Sequence, residues 1–187
     1  KTLDDIAKVE TMDFHGGKAA KTGSDLAAGC TIVIDDMLAA VAEAGANAKE
    51  VEADKIGAGE TTSISQGKVN TTAVSVALDA DGKIVWSSID CAQQDTKATG
   101  DALKSKYEKK EAYGMKGDSP ISKEWNEQID AFTAWAKGKT ADEVAKVETM
   151  DFHGGKAAKT GTDLAAGCTI VINDILSALA EAAAAAK

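Results

Sequence analysis

The sequence contains no arginine, so all 21 of its basic side chains are lysine. Bidentate guanidinium clamps on phosphate or carboxylate are thereby excluded, and any bound phosphate must be met by backbone N–H groups, hydroxyls or lysine. Cysteine is scarce as well. Cys30, Cys91 and Cys168 form no Cys-x-x-Cys pair and no metal-ligand spacing, which argues against a structural zinc site, and no metal-ligating residues are assigned. No apolar run approaches the roughly 20 residues that span a bilayer, and no signal peptide opens the chain. Because Lys1 begins inside a repeat, a natural N-terminus with a targeting segment is expected to precede it. Positive charge is in deficit too: 21 basic against 30 acidic side chains leave a net charge of −9, which repels polyanions and argues against nucleic acid as a partner.

What the chain does have is a long internal repeat. Lys1–Lys49 recurs almost letter for letter as Lys139–Lys187, at an offset of about 138 positions, too long for a solenoid unit and of the size of a small domain. Each copy carries the same small-residue run, Asp25-Leu-Ala-Ala-Gly-Cys-Thr31 and Asp163-Leu-Ala-Ala-Gly-Cys-Thr169. The differences are mild (Ser24 for Thr162, Asp35 for Asn173, Met37 for Ile175), and the block Lys8 to Thr22 is retained. Residues 1–49 therefore read as the C-terminal part of one module, and residues 50–187 as one whole module.

Within the whole module, the polar stretch Asp54 to Gln66 leads into Thr72–Leu78 and Lys83–Ile89, apolar runs joined by Asp79-Ala-Asp-Gly82, which predicts a β-hairpin. Thr96 to Lys110 reads as a short charged helix. Ser119-Pro120 has the form of an N-cap and first-turn pair for a helix to Lys137 that Gly138 stops, with Ile121, Trp125, Ile129, Phe132 and Trp135 or Ala136 on its core face. Thr140-Ala-Asp-Glu143 fits a capping box, and Asp151-Phe-His-Gly-Gly155 breaks the short helix that follows. The segments from Ile32 and Ile170 onward are helical, which puts each threonine at or just before a helix start. The fold class is α+β: a small antiparallel hairpin or sheet packed with several helices, the module repeated and its first copy partial.

A threonine among glycine and small residues at a helix start is sterically open, and a helix N-terminus attracts phosphate. The plain alternative is that Asp163 or Thr169 simply caps a helix. His15 and His153 could ligate a metal or shuttle a proton, a surface histidine being the simpler reading. Lys18, Lys21, Lys156 and Lys159 precede the threonines, where a solvated face is again the simpler reading. No nucleophilic triad, P-loop or dinucleotide fingerprint is present, so an enzyme is not expected.

The run Asp-x-x-x-Gly-Cys-Thr resembles the flavinylation site of FMN-binding domains, usually Asp-x-x-Ser/Thr-Gly-Ala-Ser/Thr. Together with Tyr113-Gly-Met-Lys116, Ser122-Lys-Glu-Trp-Asn-Glu-Gln128 and Gly138-Lys-Thr-Ala-Asp-Glu-Val144, it is similar to the extracellular flavin lipoproteins of Gram-positive bacteria over most of Asp54–Lys187 and the leading partial repeat. In that family a flavin transferase cleaves FAD and joins FMN through its phosphate to the threonine hydroxyl. The resemblance implies Thr31 and Thr169 as acceptors, with Asp25, Gly29, Cys30, Asp163, Gly167 and Cys168 as motif positions. Ala28 and Ala166 depart from the usual Ser or Thr, and Cys30 and Cys168 from the usual Ala.

For a flavin ring the expected apolar wall is drawn from Trp86, Tyr113, Met115 and Trp125, with core packing the competing role for Trp125 and gap filling for Met115. The resemblance implies an extracellular electron carrier with up to two covalent FMN groups, tethered to the membrane as a lipoprotein through an anchor outside this chain. Its partners would be the transferase, a membrane-bound electron donor and extracellular electron acceptors. The alternatives are a structural or adhesive cell-surface repeat without cofactor and a non-covalent small-ligand-binding lipoprotein.

Overall fold

The computed structural model describes residues 2–65, 67–95, 97, 99 and 104–187, and the chain divides into two compact units, Lys1–Glu50 and Val51–Lys187. Among the described residues no helix is long and apolar enough to cross a membrane.

The N-terminal unit contains helix α1 (Leu3–Ala7), strands β1 (Thr11–Phe14) and β2 (Gly17–Ala20), a 3-10 turn at Leu26–Ala28 and helix α2 (Asp35–Ala46). The strands pair antiparallel through a two-residue turn, His15-Gly16, in which both residues have positive φ (47° and 85°). That left-handed geometry is the one that matches the twist of a tight hairpin. α1 packs on α2 where Gly45 leaves room: a Cβ there would lie 2.3 Å from Leu3 Cδ1. The repeat has Ala141 and Ala183 at these two positions, so a large–small pair in one copy replaces a small–small pair in the other.

The C-terminal unit is built on a three-stranded antiparallel sheet of β3 (Lys55–Ser65), β4 (Lys68–Leu78) and β5 (Ile84–Gln94), in that order. Val74, Val76 and Leu78 are buried at alternate positions of β4, as strand periodicity requires when one face meets a core. The turn into β5 is held by Asp79, whose Oδ1 accepts from Asp81 N (3.0 Å) and Lys83 N (2.8 Å). After the sheet come α3 (Lys106–Lys109), a 3-10 turn, α4 (Trp125–Ala136), α5 (Ala141–Ala145), the hairpin β6 (Thr149–Phe152) and β7 (Gly155–Ala158), a second 3-10 turn at Leu164–Ala166 and α6 (Asn173–Ala185). Strands β6 and β7 turn at His153-Gly154, again with positive φ at both residues. The architecture is α+β, and the two short hairpins mark the repeated part.

One continuous core joins Val74, Val76, Ile84 and Ile89 of the sheet with Trp125, Ile129 and Phe132 of α4 and Ile175, Ala178 and Leu179 of α6. α6 crosses the sheet closely enough that a Cβ on Gly59 would fall 2.5 Å from the Ala178 carbonyl oxygen.

Several expectations meet the structure directly. The Asp79–Gly82 hairpin forms, and Thr140 and Glu143 make the capping box reciprocally (3.2 and 2.8 Å). Three assignments change. The stretch after Asp54 is the edge strand β3. α4 starts at Trp125 rather than at Ser119-Pro120, with Glu124 as its N-cap. The charged helix shrinks to α3 and the 3-10 turn after it, and residues 96, 98 and 100–103 of the expected segment lie outside the described residues.

Candidate functional site

The repeated threonines do not stand at helix N-termini. α6 begins only at Asn173, with Ile172 in the N-cap position, and Thr169 lies in the extended link between the 3-10 turn and the helix. Neither Asp163 nor Thr169 makes a capping hydrogen bond, so neither side chain serves as the plain alternative supposed. The link is fixed by its backbone: Cys168 N donates to Leu164 O (2.8 Å) and Ile172 N to Lys156 O (2.8 Å). The same bonds recur as Cys30 to Leu26 (2.9 Å) and Ile34 to Lys18 (2.8 Å). Each copy thus sets its threonine in one local frame.

Thr169 has an anchor to which the sequence alone gives no role. The side chain of Gln128, fully buried on α4, accepts from Thr169 N (2.8 Å) and from Thr169 Oγ1 (3.1 Å) with its one amide oxygen. Its Nε2 donates to Ser119 Oγ (3.1 Å) and Lys123 O (3.1 Å) and lies 3.9 Å from Met115 Sδ. A buried amide is stable only when both of its ends are paired, and here they are. Glu124 folds the preceding loop onto the start of α4 by accepting from Met115 N (2.9 Å) and Lys116 N (3.1 Å). Ser119 is therefore used as a hydrogen-bond partner of Gln128, which explains why it does not begin the helix.

In front of Thr169 opens a cleft of about 430 Å³, within the range of small-molecule sites. Its floor is Ala157 and Ala158, its walls include Met150, Phe152 and Ile121, and Asp163 is the one titratable group among the described residues that line it. The N-terminal unit has a cleft of about 510 Å³ built from the corresponding residues, among them Met12, Phe14, Ala19, Ala20, Asp25 and Thr31. Even the Thr22 hydroxyl contact to Met12 Sδ (3.3 Å) is repeated, as Thr160 to Met150 (3.4 Å).

Of the expected wall residues, only Met115 approaches the threonine, and it does so through Gln128. Tyr113 and Trp125 do not line the Thr169 cleft: Trp125 is buried in the core, and both rings lie beneath the Lys106 ammonium at 5.7 Å (Trp125) and 5.5 Å (Tyr113). Trp86 sits on β5, opposite Ala77, and is also outside the cleft. Met150 and Phe152 line the cleft instead. The signal for these two was the retention of Met12 and Phe14 inside the repeated block.

The neighbouring charges are already engaged. Lys156 pairs with Asp151 (2.7 Å) and Lys159 with Glu148 (2.8 Å), matched by Lys18 with Asp13 (2.6 Å) and Lys21 with Glu10 (2.9 Å). These exposed pairs add little stability, and they direct the ammonium groups at carboxylates on their own hairpins. His15 and His153 are exposed turn residues set edge-on to Phe14 and Phe152 (4.3 and 4.2 Å). Among the described residues no three His, Cys, Asp or Glu side chains gather as a metal site would require.

Cys168 points into the core and is fully buried, acting as a small apolar group at the position where alanine is usual in the resembled motif. Burial pushes its thiol from the ordinary 9.0 up to about 11, against a smaller opposing effect of a hydrogen bond at Ile170. Below pH 9 the thiol is protonated in both folded and unfolded chains. Between pH 9 and about 11 only the unfolded chain releases the proton, so stability falls as pH rises through that window, by about 2–3 kcal/mol at most. Cys168→Ala should remove this alkaline loss, read as a smaller difference in denaturation midpoint between neutral and alkaline buffer than in the parent.

Gly167 is required by packing. A Cβ there would lie 2.7 Å from Ala131 Cβ on α4, whereas at Gly29 it would meet nothing within 4 Å. Gly167→Ala should therefore destabilise the C-terminal unit by about 1–3 kcal/mol, and Gly29→Ala should change stability by less than about 0.5 kcal/mol, by calorimetric unfolding.

No family model matches the chain, and no solved structure matches it. Over 96 residues the chain is 32% identical to a chlorophenol reductase of Desulfitobacterium hafniense, a likeness that takes in 41% of this chain and 29% of that protein. The matched part thus spans less than a third of that curated relative. This weak, partial similarity is to a redox protein.

Proposed function

We propose that this chain is an electron-transfer flavoprotein rather than an enzyme with its own substrate, with FMN joined through phosphate to Thr169 and, in the second cleft, to Thr31. The observation that carries the reading is that the same apolar cleft, ending in a threonine hydroxyl, is built twice from equivalent residues. The partial likeness to a reductase agrees with a redox role. In attachment, Thr169 Oγ forms a new bond to the FMN phosphorus of FAD while the pyrophosphate bond breaks, AMP departs and the hydroxyl proton is lost to the modifying transferase.

The residues present fit such a group. Met150, Phe152 and Ile121 supply an apolar bed for a planar ring, the Ala157–Ala158 floor admits close approach, and Gln128 holds the acceptor threonine by both its N–H and its hydroxyl. Asp163 on the rim makes no capping bond and is free to be read by the transferase. Once attached, the flavin supplies reversible electron storage. The protein's own part is to keep it from diffusing away, to shield one face and to leave an edge open to partners. By this reading the chain works outside the cell, tethered as a lipoprotein by an anchor beyond this sequence, between a membrane-bound donor and extracellular acceptors.

The test is optical. Protein coexpressed with an active flavin transferase should be yellow after denaturing desalting, bleach on anaerobic reduction and recover its colour when a soluble acceptor is added. Colourless protein from a culture in which a control substrate is flavinylated would leave the cofactor-free surface repeat as the better account.

A further inference from the structure

The two copies of the repeat are alike in sequence and unlike in burial. In the C-terminal unit Ile170 is 6% exposed and Ile175 3%, both within the core that residues of the sheet, α4 and α6 share. Their counterparts Ile32 and Met37 are 55% and 52% exposed. Leu26 and Val41 are exposed in the same way where Leu164 and Leu179 are buried.

The polar fittings of this face are also retained. α6 is latched to β3 by Asp174, which accepts from Ser63 Oγ (2.7 Å), and by Glu181, which accepts from Glu60 N (3.1 Å). α2 keeps both carboxylates as Asp36 and Glu43, and it keeps as Ala40 and Ala44 the small residues that α6 sets against Gly57 and Gly59. Among the described residues nothing lies within 4 Å of a Cβ built at Gly29, yet it stands where Gly167 is forced to be glycine by Ala131 of α4.

We propose that the exposed face of the N-terminal unit, formed by α2 and the Leu26–Thr31 segment, is a docking surface for a second sheet-and-helix unit of the kind formed by residues 51–138. The occupant presents an edge strand with two spaced glycines and a serine hydroxyl to α2, and a helix with an inward glutamine to Thr31. This chain's own 51–138 segment is already seated against α6, so the occupant is an additional unit. Docking completes the Thr31 site as Gln128 completes the Thr169 site. It concerns packing alone and holds whether or not a flavin is attached.

The test is a chain in which a second copy of residues 51–138 is fused ahead of Lys1, which follows Gly138 there as Lys139 does in the parent. Native-state labelling of Cys30 by a thiol reagent, read by peptide mass, is compared with that of the buried Cys168. In the parent Cys30 should label readily, and in the fused chain it should slow by roughly tenfold or more. Valine at the added copies of Gly57 and Gly59 should restore the fast rate.

The proposal is overturned if Cys30 labels equally fast in both chains, or if the added segment stays unstructured by hydrogen exchange. It is overturned too if the valine variant protects Cys30 as well as the fused chain does. Protection of Cys30 in the parent, or protection that grows with parent concentration, would assign the face to another part of the same chain or to a second copy and would also overturn it.

Discussion

Gln128→Leu should lower the stability of the C-terminal unit by about 3 kcal/mol and free Thr169 from its fixed orientation. Leucine nearly matches glutamine in volume, so no cavity term arises. What is lost is polar: Thr169 N and Oγ1 lose their acceptor, and Ser119 Oγ and Lys123 O lose a donor. Each buried group left unpaired costs about 1–3 kcal/mol, and the partial exposure of Thr169 lets water offset some of that sum. Amide hydrogen exchange at Thr169 is the sharpest readout, and it should quicken well beyond the change at core amides of β4. Gln128→Glu keeps an acceptor for Thr169 but sets a carboxylate against the Lys123 carbonyl, so it should restore little of the stability. Under the flavin reading, Gln128→Leu lowers loading at Thr169 and leaves Thr31 as in the parent. Unchanged exchange at Thr169 would show that Gln128 is not its anchor.

Gly57→Val should be at least as damaging, with a loss of about 3 kcal/mol or more and a fall in midpoint of roughly 10 °C. Glycine inside a strand ordinarily weakens it. Here a Cβ would come within 2.0 Å of the Ala182 carbonyl oxygen and 2.9 Å of Ala186 N, all backbone atoms of or next to α6. Backbone cannot rotate aside as a side chain can, so the helix must lift and its seal on the Val74–Val76 core is lost. Gly117→Ala, at a site with nothing within 4 Å and no positive φ, is the control and should change stability little. Thermal unfolding of the two variants beside the parent decides the point, and equal midpoints would contradict the close crossing of α6 over β3.

These two residues also show where the sequence was legible. The β4–β5 hairpin could be read because Val74, Val76 and Leu78 alternate and the Asp79–Gly82 turn is local chemistry. β3 could not, since its glycines, threonines and serines have the composition of a loop, and the reason for the glycines lies on α6, far along the chain. The His153-Gly154 hairpin has only the look of a helix break in the sequence, because four-residue strands are too short to display a period. At the site, the threonines and their motif stood out through repetition. Gln128 did not, for a glutamine beside Glu127 on a helix looks like a solvated face until the fold brings Thr169 to it. The expected aromatic wall failed for a similar reason: Trp125 has helical spacing with Ile129 and Phe132, and the core claims it.

The most direct test of the central claim is intact mass after coexpression with a flavin transferase, for the parent, Thr31→Ala, Thr169→Ala and the double variant. The account predicts one FMN lost with each single substitution and none bound in the double variant, with Thr169 loaded more fully than Thr31 because Gln128 anchors Thr169 and, among the described residues, no glutamine bonds to Thr31. Equal FMN mass in the parent and the double variant, or none in the parent beside a loaded control, would contradict it.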